Sequence, residues 1–305
     1  MHERADVLVG PGDDAGVHLI GDQAVVETVD VITPVVNDPF TFGAISAANS
    51  ISDVYAMGGR PLTALAIAGF PSCDYEPAVL REVLRGAVST LTRAGAVLIG
   101  GHSFQNDEMK FGLSVTGVVD KERILRAQGA AEGDVIVMTK PLGIGILTTA
   151  LKGGKLTDAQ MGAVIEWMLT LNETASGLAA RAEASACTDV TGFGLLGHSA
   201  NMLRGSGLDF VIYNDRVPIM DKVYEMIDAG MVPEGAYNNL RFMDGKVEFP
   251  ANFSEERKLL LSDPQTSGGL LITMKEDGLR VFKESRVYYA VIGRVVKGVG
   301  KVVVI

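Results

Sequence analysis

The sequence is poor in cysteine, in clustered positive charge and in long apolar runs. Only Cys73 and Cys187 are present among 305 residues, with no paired-cysteine spacing. That pattern excludes a disulfide scaffold and fits a reducing, cytoplasmic setting. Neither cysteine has an activating neighbour in sequence, so both read as structural. Formal net charge is -10 and no basic run occurs. Nucleic-acid binding, which needs clustered Lys and Arg against phosphates, is therefore disfavoured. No uninterrupted apolar run approaches the ~18 residues of a membrane helix. The start, Met1-His2-Glu3-Arg4-Ala5-Asp6, is not a signal peptide, and a soluble cytoplasmic protein without a membrane partner is expected.

Catalytic signatures are missing too. The four histidines (His2, His18, His102 and His198) show no metal-ligand spacing, which argues against zinc. There is no GxSxG elbow and no GxxxxGK[ST] loop, so neither a serine hydrolase nor a P-loop ATPase is indicated. Gly10-Pro11-Gly12-Asp13-Asp14-Ala15-Gly16 is a tight turn whose third glycine is misplaced for a dinucleotide fingerprint.

What is present is a globular composition, 47% hydrophobic and 21% charged, long enough for about two domains. Strands are expected over 24–32, 62–69, 96–99 and 111–119. A helix is expected after Asp38, with Asp38 as cap, Pro39 in its first turn and Gly58-Gly59 at its end. A second, amphipathic helix is expected over 77–94. The polar stretch 120–133 marks the boundary, giving domains 1–122 and 123–305. In the second, strands are expected over 135–139, 208–213, 270–274 and 289–295, and a helix over 158–171. Mixed elements in two halves indicate α/β or α+β architecture.

Aspartates carry the chemistry that remains. Asp13 and Asp14 repel each other when both are ionised, which a cation relieves; a solvated turn is the plainer alternative. Asp30 closes a strand and suits a metal, a hydroxyl or a turn. Asn49 and Asp53 share one face of a small, apolar helix without a basic residue. There Asp53 either binds metal or accepts a structural hydrogen bond. Gly100-Gly101-His102-Ser103 follows a strand and is either a phosphate-cradling loop or an ordinary glycine turn. Asp189, in Thr188-Asp189-Val190-Thr191-Gly192-Phe193-Gly194, faces a helix start, where it serves a bridging metal or, like Thr191, caps the helix. Ser262–Gly269 reads mainly as structural. Carboxylates spread over loops, with glycine-rich turns, suit magnesium-bridged polyphosphate.

Taken together, the motifs resemble the selenophosphate synthetases, within the superfamily that includes aminoimidazole ribonucleotide synthetase. The matching segments are Gly12–Ala15, Thr28–Asp30, Asn49–Gly59, Gly100–Ser103, Thr139–Gly145, Thr188–His198 and Asp263–Gly269, in family order. The segments Thr-Asp-Val-Thr-Gly-Phe-Gly and Asp-Pro-Gln-Thr-Ser-Gly-Gly point to the selenophosphate branch. This resemblance implies conversion of ATP, selenide and water to selenophosphate, phosphate and AMP. It implies an α/β N-terminal domain that dimerises through its sheet, with ATP in the cleft shared by the dimer, and an α+β C-terminal domain. Asp14, Asp53 and Asp189 then correspond to magnesium ligands. Pro11, Gly12, Asp13, Asp30, Asp53, Gly101, His102 and Ser103 correspond to nucleotide contacts. A potassium requirement is also a family trait. In the family an N-terminal arm carries a cysteine or selenocysteine followed by a lysine. Only twelve residues precede Asp13 here, so the catalytic pair is expected upstream of Met1 and the chain alone is expected to be weak or inactive. The alternatives are a sibling ATP enzyme, such as a thiamine-monophosphate kinase, and a nucleotide-binding pseudoenzyme.

Overall fold

The computed structural model describes residues 4–305; Met1–Glu3, including His2, lie outside the described residues. The chain divides into two compact units, one running to Ile124 together with Asp158–Glu173, the other comprising Leu125–Thr157 and Thr174–Ile305.

The first unit is built on a six-stranded sheet. Its strands are β1 (Val7–Val9), β2 (Gly16–Ile20), β3 (Gln23–Ile32), β4 (Arg60–Phe70), β5 (Val97–Gln105) and β6 (Lys110–Val119). They lie in the order β1-β2-β3-β6-β4-β5, antiparallel throughout except for the parallel pair β4–β5. A parallel pair needs a crossover, and α2 (Pro77–Arg93) supplies it. The other long helix, α1 (Pro39–Ala56), starts as its sequence dictates: Asp38 accepts from the Thr41 amide (2.8 Å) and Pro39 opens the first turn. Nearly all of α1 is buried, so its polar residues need partners. Ser46 donates to the Phe111 carbonyl (2.7 Å), Ser50 to the Ser46 carbonyl (3.0 Å), and Ser52 accepts from Asn172 (2.9 Å).

The expected helix over 158–171 is a 3-10 turn (Asp158–Gln160) followed by α4 (Gly162–Leu169). A contiguous division at 122/123 assigns it to the second domain. Its contacts tie it instead to the first unit: Asn37 donates to Asp158 (3.0 Å), and Arg93 to the Leu169 carbonyl (3.1 Å). No local pattern marks such an excursion, because amphipathic spacing shows that a face is buried without showing against what.

The second unit is built on a seven-stranded sheet: β7 (Val135–Met138), β8 (Ala186–Asp189), β9 (Leu208–Ile212), β10 (Val247–Glu248), β11 (Leu270–Met274), β12 (Ala290–Lys297) and β13 (Val302–Val304). The order is β10-β13-β9-β12-β7-β11-β8. Its helices are α3 (Ile144–Lys152), α5 (Glu173–Arg181, whose first residue belongs to the first unit), α6 (Gly194–Met202), α7 (Val223–Asp228), α8 (Glu234–Phe242), α9 (Glu255–Leu261) and α10 (Leu279–Lys283). β7, β8 and β11 are completely buried; β7 (Val-Ile-Val-Met) and most of β11 (Leu-Leu-Ile-Thr-Met) therefore read as apolar runs without alternation, whereas β8 (Ala-Cys-Thr-Asp) reads as small and polar. β11 runs antiparallel to both β7 and β8. The loops after β7 and β8 and the loop before β11 therefore meet at one end of the sheet.

Candidate functional site

In the first unit the site forms along the seam between β3 and α1. Alternation along β3 puts Thr28 and Asp30 on one face, the face that α1 covers. On α1, Asn49 and Asp53 stand one turn apart. The two spacings match rung for rung. Asn49 donates its side-chain amide to Asp30 Oδ2 (2.5 Å), and Thr28 donates its hydroxyl to Asp53 Oδ2 (2.5 Å). Burial pushes the Asp30 carboxyl above the ordinary carboxylate range, against the opposing pull of Asn49 and the Val31 amide. Asp53 itself is half-buried.

The turn between β1 and β2 carries the Asp-Asp pair. Gly16, two residues after Asp14, is the first residue of β2 and pairs with Glu27. Asp13 turns its carboxylate back to accept from the Asp14 amide (3.0 Å). Pro11 and Gly12 are exposed, while Asp13 and Asp14 are half-buried. Among the described residues, no three His, Cys, Asp or Glu side chains gather as a ready-made metal cage. The donors are oxygens alone, which fits magnesium, an ion that retains waters and takes few carboxylates, and does not fit zinc.

Gly100–Ser103 differs from the expected loop. These residues continue β5, paired with β4 as Leu65–Gly100, Ala66–Gly101, Ile67–His102 and Ala68–Ser103. β5 is the last strand of its sheet, so no further strand shields it, and every residue from Ile99 to Gln105 is exposed. Glycine at 101 has a packing cause: a Cβ there would lie 2.4 Å from the Ala66 carbonyl oxygen. His102 stands over Phe104, ring centroids 6.3 Å apart.

In the second unit Asp189 ends β8 and is buried. Three loops interlock around it. The Val190 amide donates to the Gly269 carbonyl (2.8 Å), and the Gln265 amide to the Thr191 carbonyl (2.9 Å). Lys140, fully buried, donates to the Ser267 carbonyl (2.7 Å) and lies within electrostatic reach of Asp189. Burial pulls the Lys140 ammonium down to about 7, and Asp189 partly opposes that shift. The Thr191 amide donates to His198 Nε2 (3.0 Å), so this nitrogen is an acceptor and the ring is neutral. Burial lowers the His198 pKa to about 4, consistent with that state. Phe193 packs against the same ring at 5.7 Å.

The structure thus brings Asp30, Asp53, Asn49 and Thr28 into one cluster along β3 and α1. Sequence reasoning did not single out Lys140, Asp263 or Gln265. Their signal was present as polar residues in short glycine-containing loops next to completely buried strands. Asp189 and Thr191, weighed as helix caps, do not cap α6; its N-cap position is Phe193, without a side-chain hydrogen bond.

The AIR synthase related protein N-terminal domain model matches residues 12–119, and the C-terminal domain model matches residues 131–305. The chain is 49% identical over 272 residues to the selenide, water dikinase of Geobacter metallireducens, covering 88% of this chain and 79% of that protein. It is 46% identical over 296 residues to the selenide, water dikinase of Trichlorobacter lovleyi, covering 95% and 85%. A solved structure, "AaThiL complexed with AMPPCP and TMP", shares the fold with a TM-score of 0.73 at 20% identity, covering 96% of this chain and 87% of that one. With both domains matched in order and close identity across most of its length, the chain belongs to the selenide, water dikinase family of AIR synthase related proteins.

Proposed function

We propose that the chain is a selenide, water dikinase, an ATP-dependent phosphotransferase that forms selenophosphate, phosphate and AMP from ATP, selenide and water. The observation that carries this reading is its 49% identity to a protein of that name over 88% of the chain. Phosphoryl transfer asks for positioning and charge neutralisation more than for covalent chemistry. The oxygen-rich seam of the first unit has that character. Asp14 and Asp53 are the proposed magnesium ligands there, and Asp189 is the proposed ligand of the second unit. Bound magnesium would neutralise phosphate oxygens. Thr28 orients Asp53 by the hydroxyl it donates.

Asp30, held by Asn49, is the proposed acceptor for a nucleotide hydroxyl. Pro11, Gly12 and Asp13 in the turn, and Gly101, His102 and Ser103 on β5, are the remaining proposed nucleotide contacts. ATP as nucleotide is supported by the AMPPCP bound to the AaThiL neighbour, since AMPPCP has the adenosine and three phosphorus groups of ATP. The open face of the first sheet supports a homodimer. Val29, Val31, Leu65, Val97, Ile99 and Phe104 are all exposed there or on the unpaired β5 edge, a patch that a second copy would cover. A potassium requirement and a cytoplasmic location complete the reading; both cysteines are free thiols, and among the described residues no helix is long and apolar enough to cross a membrane.

Phosphorus NMR of ATP turnover with and without selenide tests the proposal, on this chain and on a form carrying the upstream residues of its relatives. Selenide-dependent selenophosphate and AMP are expected, with magnesium required and potassium stimulating. Turnover indifferent to selenide in both forms overturns the substrate, and thiamine monophosphate is then the next acceptor to test.

A further inference from the structure

Asp263 and Gln265 form a buried device that the proposed chemistry does not use. The N-terminus of α3 presents backbone N–H groups that no helix can satisfy internally. Here side chains from the loop before β11 fill that position. Gln265 Oε1 accepts from the Gly143 and Ile144 amides (3.2 Å each), and Asp263 Oδ2 accepts from the Gly145 amide (3.0 Å). Gln265 Nε2 then donates to Asp263, both to its carbonyl and to Oδ2 (2.8 Å each). Both side chains are buried, and Asp263 has no exposed surface. Glycine at 145 is required for this approach, because a Cβ there would lie 2.5 Å from Asp263 Oδ1. The Asp263 side chain occupies the place where a helix N-terminus would otherwise take an external ligand.

The same loop holds the segment that follows Asp189. The Gln265 backbone amide donates to the Thr191 carbonyl (2.9 Å), and the adjoining Ser262 carbonyl is bridged to the Gly192 carbonyl by Asn239, which donates to both (3.0 and 2.8 Å). One side of the 263–265 loop is therefore anchored on α3 and the other on residues 191–192. We propose that Asp263 and Gln265 are positioning residues for Asp189: by locking their loop onto the α3 N-terminus they set the backbone through which Asp189 is presented to a divalent cation. This rests on the reading of Asp189 as a magnesium ligand. Outer partners of metal ligands matter in this way because an ion discriminates small errors in ligand placement.

The test uses Gln265→Met, which keeps the length of the side chain and removes both polar arms. Asp263→Asn is the conservative partner, since its amide oxygen can still accept from Gly145. Asp209→Ala is the control. Asp209 Oδ1 accepts from the Val299, Gly300 and Lys301 amides (2.8, 2.9 and 2.8 Å), a structural cap elsewhere in the same unit. Two readouts are taken: hydrogen exchange over 188–194, and binding of Mn2+ with ATP followed by electron paramagnetic resonance. Gln265→Met is expected to lose protection over 188–194 and to bind Mn2+-ATP about 10-fold more weakly. Asp263→Asn is expected to retain most of both, and Asp209→Ala to keep wild-type Mn2+-ATP affinity whatever it does to the melting temperature. Wild-type affinity in Gln265→Met, or an equal loss in Asp209→Ala, overturns the proposal. Should Gln265→Met fail to fold, Asp263→Asn against Asp263→Ala decides by the same two readouts. A wild-type chain that binds no Mn2+-ATP instead removes the parent reading of Asp189, and this inference with it.

Discussion

The two units carry similar sequence motifs, an aspartate near glycine-rich turns, and give them different physical states. In the first unit Asp14 and Asp53 are half-buried, and the hydroxyl of Thr28 orients Asp53 on the face of the sheet that α1 covers. In the second unit Asp189, Lys140, Asp263 and Gln265 are buried in interlocked loops. The first arrangement leaves room for a ligand at small cost to the fold. The second makes the same type of residue part of the core, so stability and site geometry cannot be varied separately.

Removing the buried cation should expose that difference most strongly. Lys140→Met takes the ammonium from Asp189 and the donor from the Ser267 carbonyl while preserving much of the volume. Breaking a buried charge pair costs about 3–5 kcal/mol, and urea unfolding should show a loss of that order in the second unit. A loss below about 1 kcal/mol would mean that water reaches Lys140 and that the contrast between units is false.

The pH dependence sharpens the same contrast. Burial raises Asp263 to about 7 from an ordinary carboxylate value near ~3.9, so the folded state holds its proton more tightly than the unfolded chain does. Its contribution is complete below about pH 4 and is lost as pH rises towards about 7. His198, lowered to about 4, works the other way: its contribution is complete above about 6.5 and is lost as pH falls towards 4. The two slopes oppose each other between about pH 4 and 6.5. Asp263→Asn removes one of them. Its stability relative to wild type should therefore rise with pH across this window, by up to about 1.4 kcal/mol per pH unit, in urea titrations at matched pH. A pH-independent difference would show that Asp263 is ionised in the fold.

Asp53→Asn tests the open side. Its oxygen still accepts from Thr28, so unfolding free energy should change by less than about 1 kcal/mol. Losing a proposed ligand charge should weaken Mn2+-ATP binding by at least about 10-fold, measured by the same resonance titration. Equal losses in stability and binding would make Asp53 a core residue like Asp189.

The legibility of the sequence follows this division. Long elements with local signals were readable: Asp38 and Pro39 started α1, and the apolar spacing of 77–94 gave α2. The face shared by Asn49 and Asp53 was also readable, because helical spacing alone decides it. Its match to Thr28 and Asp30 was not, since strand-to-helix registry is a tertiary fact. The start of β5 was readable in the strand expected over 96–99, but its continuation hid behind Gly100-Gly101, where glycines that look like a turn serve a close approach of two strands. The loops around Asp189 were seen as separate polar turns because nothing local announces that antiparallel β7, β8 and β11 bring them to one end of a sheet.

The smallest expected effect compares one device in both units. Asp38 caps α1 through the Thr41 amide at 2.8 Å, and Ser254 caps α9 through the Arg257 amide at 3.3 Å. By geometry alone Asp38→Ala should cost about 1 kcal/mol and Ser254→Ala about 0.5 kcal/mol, read from urea midpoints. The helices differ in length, however. α1 has 18 residues, and Asn49 lies nearly three turns from its cap, so fraying at Asp38 should leave Mn2+-ATP binding untouched. α9 has 7 residues and runs directly into Ser262 and Asp263. Fraying at Ser254 has little helix in which to dissipate before it reaches the loop anchored on α3. A small stability loss in Ser254→Ala accompanied by faster hydrogen exchange over 188–194 would show that the second unit transmits even minor strain to Asp189, whereas the first isolates its carboxylates from the ends of the helix that carries them.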